Sequence, residues 1–366
     1  MFKVKAKMQK IVNGGENMRK LVLLIVVTAL LVSLVVLPGC PPPPDPEVHV
    51  LRIQSGFPRG DISMELLEVF ADSAYERSGG RLRIEVFAAP EIVPLGELFG
   101  ATKAGTVDML QAAGVFWGGF VPVAELEFGF PFAYDIPEKP TFGGKAEEIR
   151  RFFFEDGFVD ILRREYAKNN LYWLDMHTYG PLTLHSKRDP GEDRIVTMEY
   201  FAGQRVRGAG LWEVFHEKLG MVGTPIPPGE VYMALAMCIL DATQWDVSAI
   251  TGLRWHEPAP YWIHPHRNEF IVGHILVNMD SWNALPADLQ EALKGAAQDY
   301  WEANVETYEA ALMEAYVTPG VVVVWMDEAT EAVFRAKALE LWDELAARDP
   351  ANAEAIALIK EWRGMT

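Results

Sequence analysis

Apolar and polar residues alternate along His49-Val50-Leu51-Arg52-Ile53-Gln54, which is the two-residue period of a strand. Gly56 and Pro58 interrupt it. From Ile62 to Ser78 the apolar positions Leu66, Leu67, Val69, Phe70 and Ala74 fall at helical spacing, and Gly79-Gly80 stops that helix. Arg81-Leu82-Arg83-Ile84-Glu85-Val86-Phe87 alternates again. A helical stretch over 95–104 and an apolar strand over 107–112 follow. This β-α-β-α-β order predicts a sheet with substantial parallel pairing and helices on its faces.

The pattern then restarts. Residues 148–168 are helical, and 171–174 open a new strand region. Arg205-Val206-Arg207 is a short strand ended by Gly208. A helix over 211–219, a strand over 222–226, a helix over 231–236 and a strand over 239–244 follow. Two α/β lobes are expected: one over 48–173, completed by a segment near 246–280, and one over 174–245, completed by part of 281–366. Leu289, Leu293, Ala297, Trp301, Val305, Tyr308, Leu312 and Tyr316 form one apolar stripe. They predict a helix within 287–317, about 28 residues and about 42 Å long. A helix of that length braces both lobes or packs on a second subunit. A strand over 320–325 and a helix over 328–347 close the chain.

The start of the chain has a different character. Met18-Arg19-Lys20 precedes an apolar run that reaches Leu37, the layout of an export signal over 1–39. The run ends at Leu37-Pro38-Gly39-Cys40, which resembles the lipobox of bacterial lipoproteins, with Cys40 as the lipidated residue. Pro41-Pro42-Pro43-Pro44 makes 40–47 a stiff tether between an anchor and a folded body. An uncleaved membrane anchor is the alternative. Both readings place the globular part outside the cytoplasmic membrane.

The chain has 366 residues, half of them apolar and 23% charged, the balance of a packed protein rather than a disordered one. Its formal charge is −18; without residues 1–39, which hold six basic side chains and one acidic, 27 basic and 50 acidic remain, a net of −23. Such a surface repels phosphate backbones, so nucleic acid is excluded as a partner. Two cysteines, Cys40 and Cys238, cannot make a disulfide framework. Cys238 reads as a small hydrophobe in an apolar passage.

No P-loop and no GxGxxG after a strand is present. Trp255-His256-Glu257 and His264-Pro265-His266 bring three histidines and a carboxylate into eleven residues of apparent loop. Those types suit a metal-dependent hydrolase, although the spacing matches no recognised ligand pattern. A binding site has better support. Arg207 ends a short strand at Gly208-Ala209-Gly210, and ligands of α/β lobes bind beyond strand ends. A guanidinium there can hold a carboxylate through two parallel hydrogen bonds.

Several motifs in order carry a resemblance. They are Arg81-Leu82-Arg83-Ile84-Glu85-Val86 after Ser78-Gly79-Gly80, Pro90-Glu91-Ile92-Val93-Pro94, Lys103-Ala104-Gly105-Thr106-Val107-Asp108-Met109, Pro131-Phe132-Ala133 and Gly203-Gln204-Arg205-Val206-Arg207. Gly229-Glu230-Val231-Tyr232-Met233-Ala234-Leu235, Asp241-Ala242-Thr243-Gln244-Trp245 and Trp282-Asn283-Ala284-Leu285-Pro286 continue the set. Over about residues 50 to 345 the chain resembles the solute-binding proteins of tripartite ATP-independent periplasmic (TRAP) transporters, in the branch that binds 2-oxo acids and related small carboxylates. The resemblance implies a periplasmic-binding-protein-like fold, two lobes closing over an anion, and no bond chemistry. It also implies membrane subunits as partners and a homodimer built on the long helix.

The resemblance places the carboxylate anchor at Arg207. It places aromatic walls at Phe116, Trp117 and Trp245, with Phe57 added at the end of the first strand. It also exposes departures. The branch has a glutamate before the tryptophan, where it helps hold a cation, and here stands Gln244. Two further polar positions are His177 and His274. Na⁺ and Ca²⁺ want oxygen ligands, preferably charged. The expectation is therefore a ligand bound without that ion, with His177 and His274 donating hydrogen bonds to it or taking a transition metal; the other reading of each is a framework histidine. A scaffold lipoprotein with a vestigial pocket is the remaining alternative.

Overall fold

In this computed structural model the described residues are 47–265 and 268–365. Their strands, in chain order, are β1 (His49–Ser55), β2 (Leu82–Phe87), β3 (Met109–Ala112), β4 (Leu171–Thr178), β5 (Thr183–Ser186) and β6 (Ile195–Val196). Then come β7 (Arg205–Arg207), β8 (Val222–Gly223), β9 (Ala242–Trp245), β10 (Tyr261–His264), β11 (Val272–Asn278) and β12 (Val322–Met326). They gather into two sheets, ordered β2-β1-β3-β11-β4 and β6-β12-β10-β5-β9-β7-β8. The alternation read in the first strands becomes parallel pairing of β1 with both β2 and β3. β11 runs antiparallel between β3 and β4 and is buried along its whole length, as suits a central strand. In the second sheet β7 pairs parallel to β9, with Arg207 beside Thr243.

The expected lobe boundary at 173/174 falls inside β4, which belongs to the first sheet as far as Thr178. The polar residues that obscured its second half are paired within the fold. Arg150 grips Asp175 with two bonds of 2.8 and 3.0 Å, and Asn304 accepts from the Thr178 amide at 2.8 Å. The segment 246–280 divides between the lobes: β11 completes the first sheet, but β10 lies in the second. The loop expected around His256–His266 thus contains a strand, Tyr261–His264. The long helix predicted over 148–168 is two helices, Phe142–Glu155 and Phe158–Ala167, broken at Gly157 with φ +96°. Cys238 is exposed rather than a core residue, because a turn with φ +58° turns its side chain outward, where Lys187 Nζ lies 3.0 Å from its sulfur.

Two short segments link the sheets, 179–182 after β4 and the stretch that reaches β11 through 268–271. They are tied to each other: Tyr179 donates to Ile271 O at 3.2 Å, and Ile271 donates to Gly180 O at 3.0 Å. A third connection is the helix Ala287–Val317. Near its start, Leu289, Leu293, Ala296 and Ala297 pack into the core under the first sheet with Leu51, Ile53 and Phe70. In its middle, Tyr308 lies beneath Gly180. Near its end, Tyr316 packs 4.7 Å from Trp262 of β10. One helix braces both lobes, and its stripe is used within the chain. The expected segments 1–39 and Cys40, most of the tether 40–47, and His266 lie outside the described residues. No helix among the described residues is long and apolar enough to cross a membrane.

Candidate functional site

A cavity of about 40 Å³ opens where strand ends of the two sheets meet. That is the scale of a few water molecules, so only a small ligand fits this closed arrangement. From the first sheet the chain supplies Phe57 after β1, Ala113, Val115 and Phe116 after β3, and Tyr179 after β4. From the second sheet come Arg207 at the end of β7 and Gln244, Trp245 and Asp246 at the end of β9. All sit at carboxyl ends of their strands, where backbone groups and side chains converge on a crevice. Trp212, Phe128, Leu182, Ala209 and Ile271 complete an otherwise apolar lining. The lobes touch around it: Phe57 lies edge-on to Trp245 at 6.1 Å, and Trp212 Nε1 donates to Gly129 O at 3.1 Å.

Arg207 is 5% exposed. Its Nε donates to Ile226 O and its Nη1 to Gln244 O, both at 3.3 Å, and its guanidinium lies 4.7 Å above the Trp245 ring. No carboxylate forms an ion pair with it among the described residues. Burial pushes its pKa down to about 10, against the pull of Glu213, so the group still carries its charge at neutral pH. A buried cation facing a cavity without a counter-charge is costly unless an anion fills the space. Two carbonyl acceptors and a ring face hold the plane of the guanidinium in place. Its remaining N–H groups are left for a carboxylate.

Beside it, the Gln244 Nε2 is buried with no partner. Trp245 is fixed through Nε1 to Ser248 Oγ at 3.2 Å. Asp246 is the residue that sequence reasoning missed, although it directly follows a tryptophan already singled out. Its Oδ1 accepts from the Ser248 amide at 2.7 Å, and it makes no ion pair among the described residues. Burial, then the nearby charge of Asp61, pushes its carboxyl up to about 8. Asp61, buried as the N-cap of the helix Ile62–Glu65, is raised by burial as well.

Phe57, Phe116, Arg207, Gln244 and Trp245 thus line one cavity, whereas Trp117, His177 and His274 do not. The His177 Nε2 accepts from Gln111 Nε2 at 3.0 Å. The same amide nitrogen reaches Tyr179 Oη at 3.3 Å, while Gln111 Oε1 accepts from Ser55 at 2.7 Å. Burial, then the neighbouring His274, pushes His177 down to about 3, so it is neutral. It supports the cavity residue Tyr179 from behind. His274 is held deeper in the first lobe, its Nδ1 2.9 Å from Glu127 Oε2 and its ring stacked on Trp117 at 5.4 Å. Glu127, which no sequence signal marked, also accepts from Tyr166 at 2.8 Å and from Trp173 Nε1. A carboxylate buried there needs donors, and His274 is one of them, which is why it is unavailable to a ligand.

Toward a cation beside the ligand the cavity offers the Gln244 amide and the Asp246 carboxyl, while neither His177 nor His274 lines it. Among the described residues, no three or more His, Cys, Asp and Glu are arranged to hold a metal. His256 and His264 are separate features. His264 packs among Trp262, Tyr316 and Trp325, and burial pushes it down to about 4. Neither lines the cavity.

Two lobes tied by crossing segments, with a buried guanidinium between them that forms no ion pair among the described residues, make the arrangement of a solute receptor. The chain belongs to the DctP family, bacterial extracellular solute-binding protein family 7, whose family model matches residues 54–349. It is 24% identical over 329 residues to the monocarboxylate 2-oxoacid-binding periplasmic protein of Nostoc sp. strain PCC 7120, covering 85% of this chain and 83% of that protein. The fold is shared with solved TRAP periplasmic solute-binding proteins. One, from Colwellia psychrerythraea with bound calcium and pyruvate, aligns with a TM-score of 0.77 at 21% identity, over 87% of this chain and 95% of that one. Another, from Pseudoalteromonas atlantica with bound sodium and pyruvate, aligns with a TM-score of 0.76 at 22% identity, over the same shares.

Proposed function

We propose that this protein is the extracytoplasmic receptor of a TRAP transporter and captures a small organic carboxylate for delivery to membrane subunits. The observation that carries this reading is Arg207: a charged group, buried at the mouth of β7, without an acidic partner among the described residues, in a cavity too small for a large ligand. The candidates are small acids with one polar group on the carbon next to the carboxylate, 2-oxo and 2-hydroxy acids among them, in line with the 2-oxoacid-binding relative. The protein retains its ligand unchanged, and it is tethered to the membrane through a lipid on Cys40. The half-buried and exposed end of the helical stripe, Val305, Leu312 and Tyr316, leaves room for the second copy that the resemblance implies.

The ligand is held without Na⁺ or Ca²⁺. An amide, Gln244, stands where the branch has a charged oxygen donor, and His177 and His274 lie outside the cavity. Burial pushes the carboxyl beside Gln244, Asp246, up to about 8, which leaves it a weak ligand for a cation at neutral pH. A thermal-shift survey of small carboxylates tests the function: stabilisation by at least one is expected, and none across the set would contradict it. Equilibrium dialysis followed by metal analysis of the liganded protein tests the ion. No stoichiometric alkali or alkaline-earth metal is expected, and one per chain would contradict that part.

A further inference from the structure

The cavity holds two groups of opposite kind, Arg207 and Asp246. They do not pair with each other, since no ion pair within 4.0 Å joins them, and no other described residue pairs with either. The wall between them is largely apolar, and neither group has an opposite charge paired with it among the described residues. A simple anion would satisfy Arg207 and leave beside it a buried carboxyl group whose hydrogen bonds come from Ser248 and the local backbone and not from a cation. A ligand that carries a carboxylate and an N–H donor on the neighbouring carbon satisfies both ends. The faces of Phe57, Phe116 and Trp212 can wall in an ammonium or imino group as well as carbon.

Resting on the carboxylate-receptor reading, we propose that Asp246 is a second anchor and that the preferred ligands are small 2-amino or cyclic imino acids. Arg207 takes the carboxylate and Asp246 takes the N–H. The Gln244 amide, buried with an unpartnered Nε2, supplies a further donor to a carboxylate oxygen on the Arg207 side. Specificity then comes from the charge of the partner: an ammonium or imino group meets Asp246 as an ionised acceptor and forms a buried ion pair, whereas a 2-oxo acid meets only the neutral carboxyl.

Titration calorimetry on the protein freed of bound ligand tests this, with L-alanine, L-proline, L-lactate and pyruvate as probes. The better of the two amino acids is expected to bind at least about tenfold more tightly than pyruvate. In Asp246→Asn that preference should shrink to about threefold or less while pyruvate still binds. Pyruvate or lactate binding as tightly as both amino acids in the unaltered protein would overturn the proposal, as would an unchanged ratio in folded Asp246→Asn. If that variant does not fold, the ratio in the unaltered protein decides alone. If none of the four probes binds, but another carboxylate devoid of N–H donors does, Asp246 is not an anchor and the receptor reading stands. Failure of every carboxylate sinks both.

Discussion

At the scale of single residues, the site is built by compensation and its deliberate absence. Buried Glu127 is met by donors from His274, Tyr166 and Trp173, whereas buried Arg207 and Asp246 are left open toward a cavity. Arg207 was legible because its place at the end of a strand, at the mouth of an α/β lobe, coincides with the position that the resemblance marks as the anchor. Asp246 was not, since burial and the charge of Asp61 create its character, and both depend on chain segments far apart in sequence. His177 and His274 misled for the same reason: partners such as Gln111 and Glu127 are invisible until β3, β4 and β11 pair. Asp246 also predicts a pH dependence. Its folded pKa, about 8, is raised above the unfolded value, so its contribution to stability is present at low pH and lost as pH rises toward 8. The ligand-free protein should become less stable between pH 6.5 and 8, by up to about 1.4 kcal/mol per pH unit from this group. Denaturant midpoints across that window check it; in Asp246→Asn the decline should lessen to what Asp61, also raised by burial, contributes, and an equal decline there would assign it to another group.

At the scale of elements, strands with clean alternation were read well, and β1 and β2 stand where the pattern put them. Short strands such as β5 and β10 escaped, because four buried residues carry no period that distinguishes them from a loop. The long helix was legible along its whole course from one apolar stripe. What the stripe could not say was which surface it covers. Leu293 is fully buried in the core beneath the first sheet, so Leu293→Ala should cost about 2–5 kcal/mol of stability. Calorimetry should find ligand affinity in that variant within about threefold of the original, because the cavity lies elsewhere. Gly180 is a sharper test of the crossing segments. It has φ +76°, and a Cβ there would sit 3.1 Å from Tyr308 Cδ1. Gly180→Ala should destabilise by about 1–2 kcal/mol or more from the backbone alone. Because Tyr179 and Leu182 line the cavity on either side of it, this variant should also weaken ligand binding, unlike Leu293→Ala.

At the scale of the whole molecule, three connections join the two sheets among the described residues, and the cavity lies where strand ends from both meet. Ligand contacts made on both sides favour the closed form, since an open form can offer only one side at a time. Two lobes were legible from the restart of the α/β pattern after residue 148. The placement of β10 and β11 in different sheets was not, because chain order does not specify which sheet a late strand joins. Binding should stabilise the molecule by mass action: at a ligand concentration one hundred times Kd the gain is about 2.7 kcal/mol, read as a rise in unfolding midpoint. A chelator added to the same sample should leave that rise intact.

The central claim is that the Arg207 guanidinium holds the carboxylate of the ligand. Isothermal titration of Arg207→Ala with whichever carboxylate stabilises the unaltered protein tests it most directly. Removing one partner of a buried charge pair costs about 3–5 kcal/mol, so affinity should fall by at least about a hundredfold in a protein that still unfolds cooperatively. An affinity within a factor of about three of the original would contradict the account.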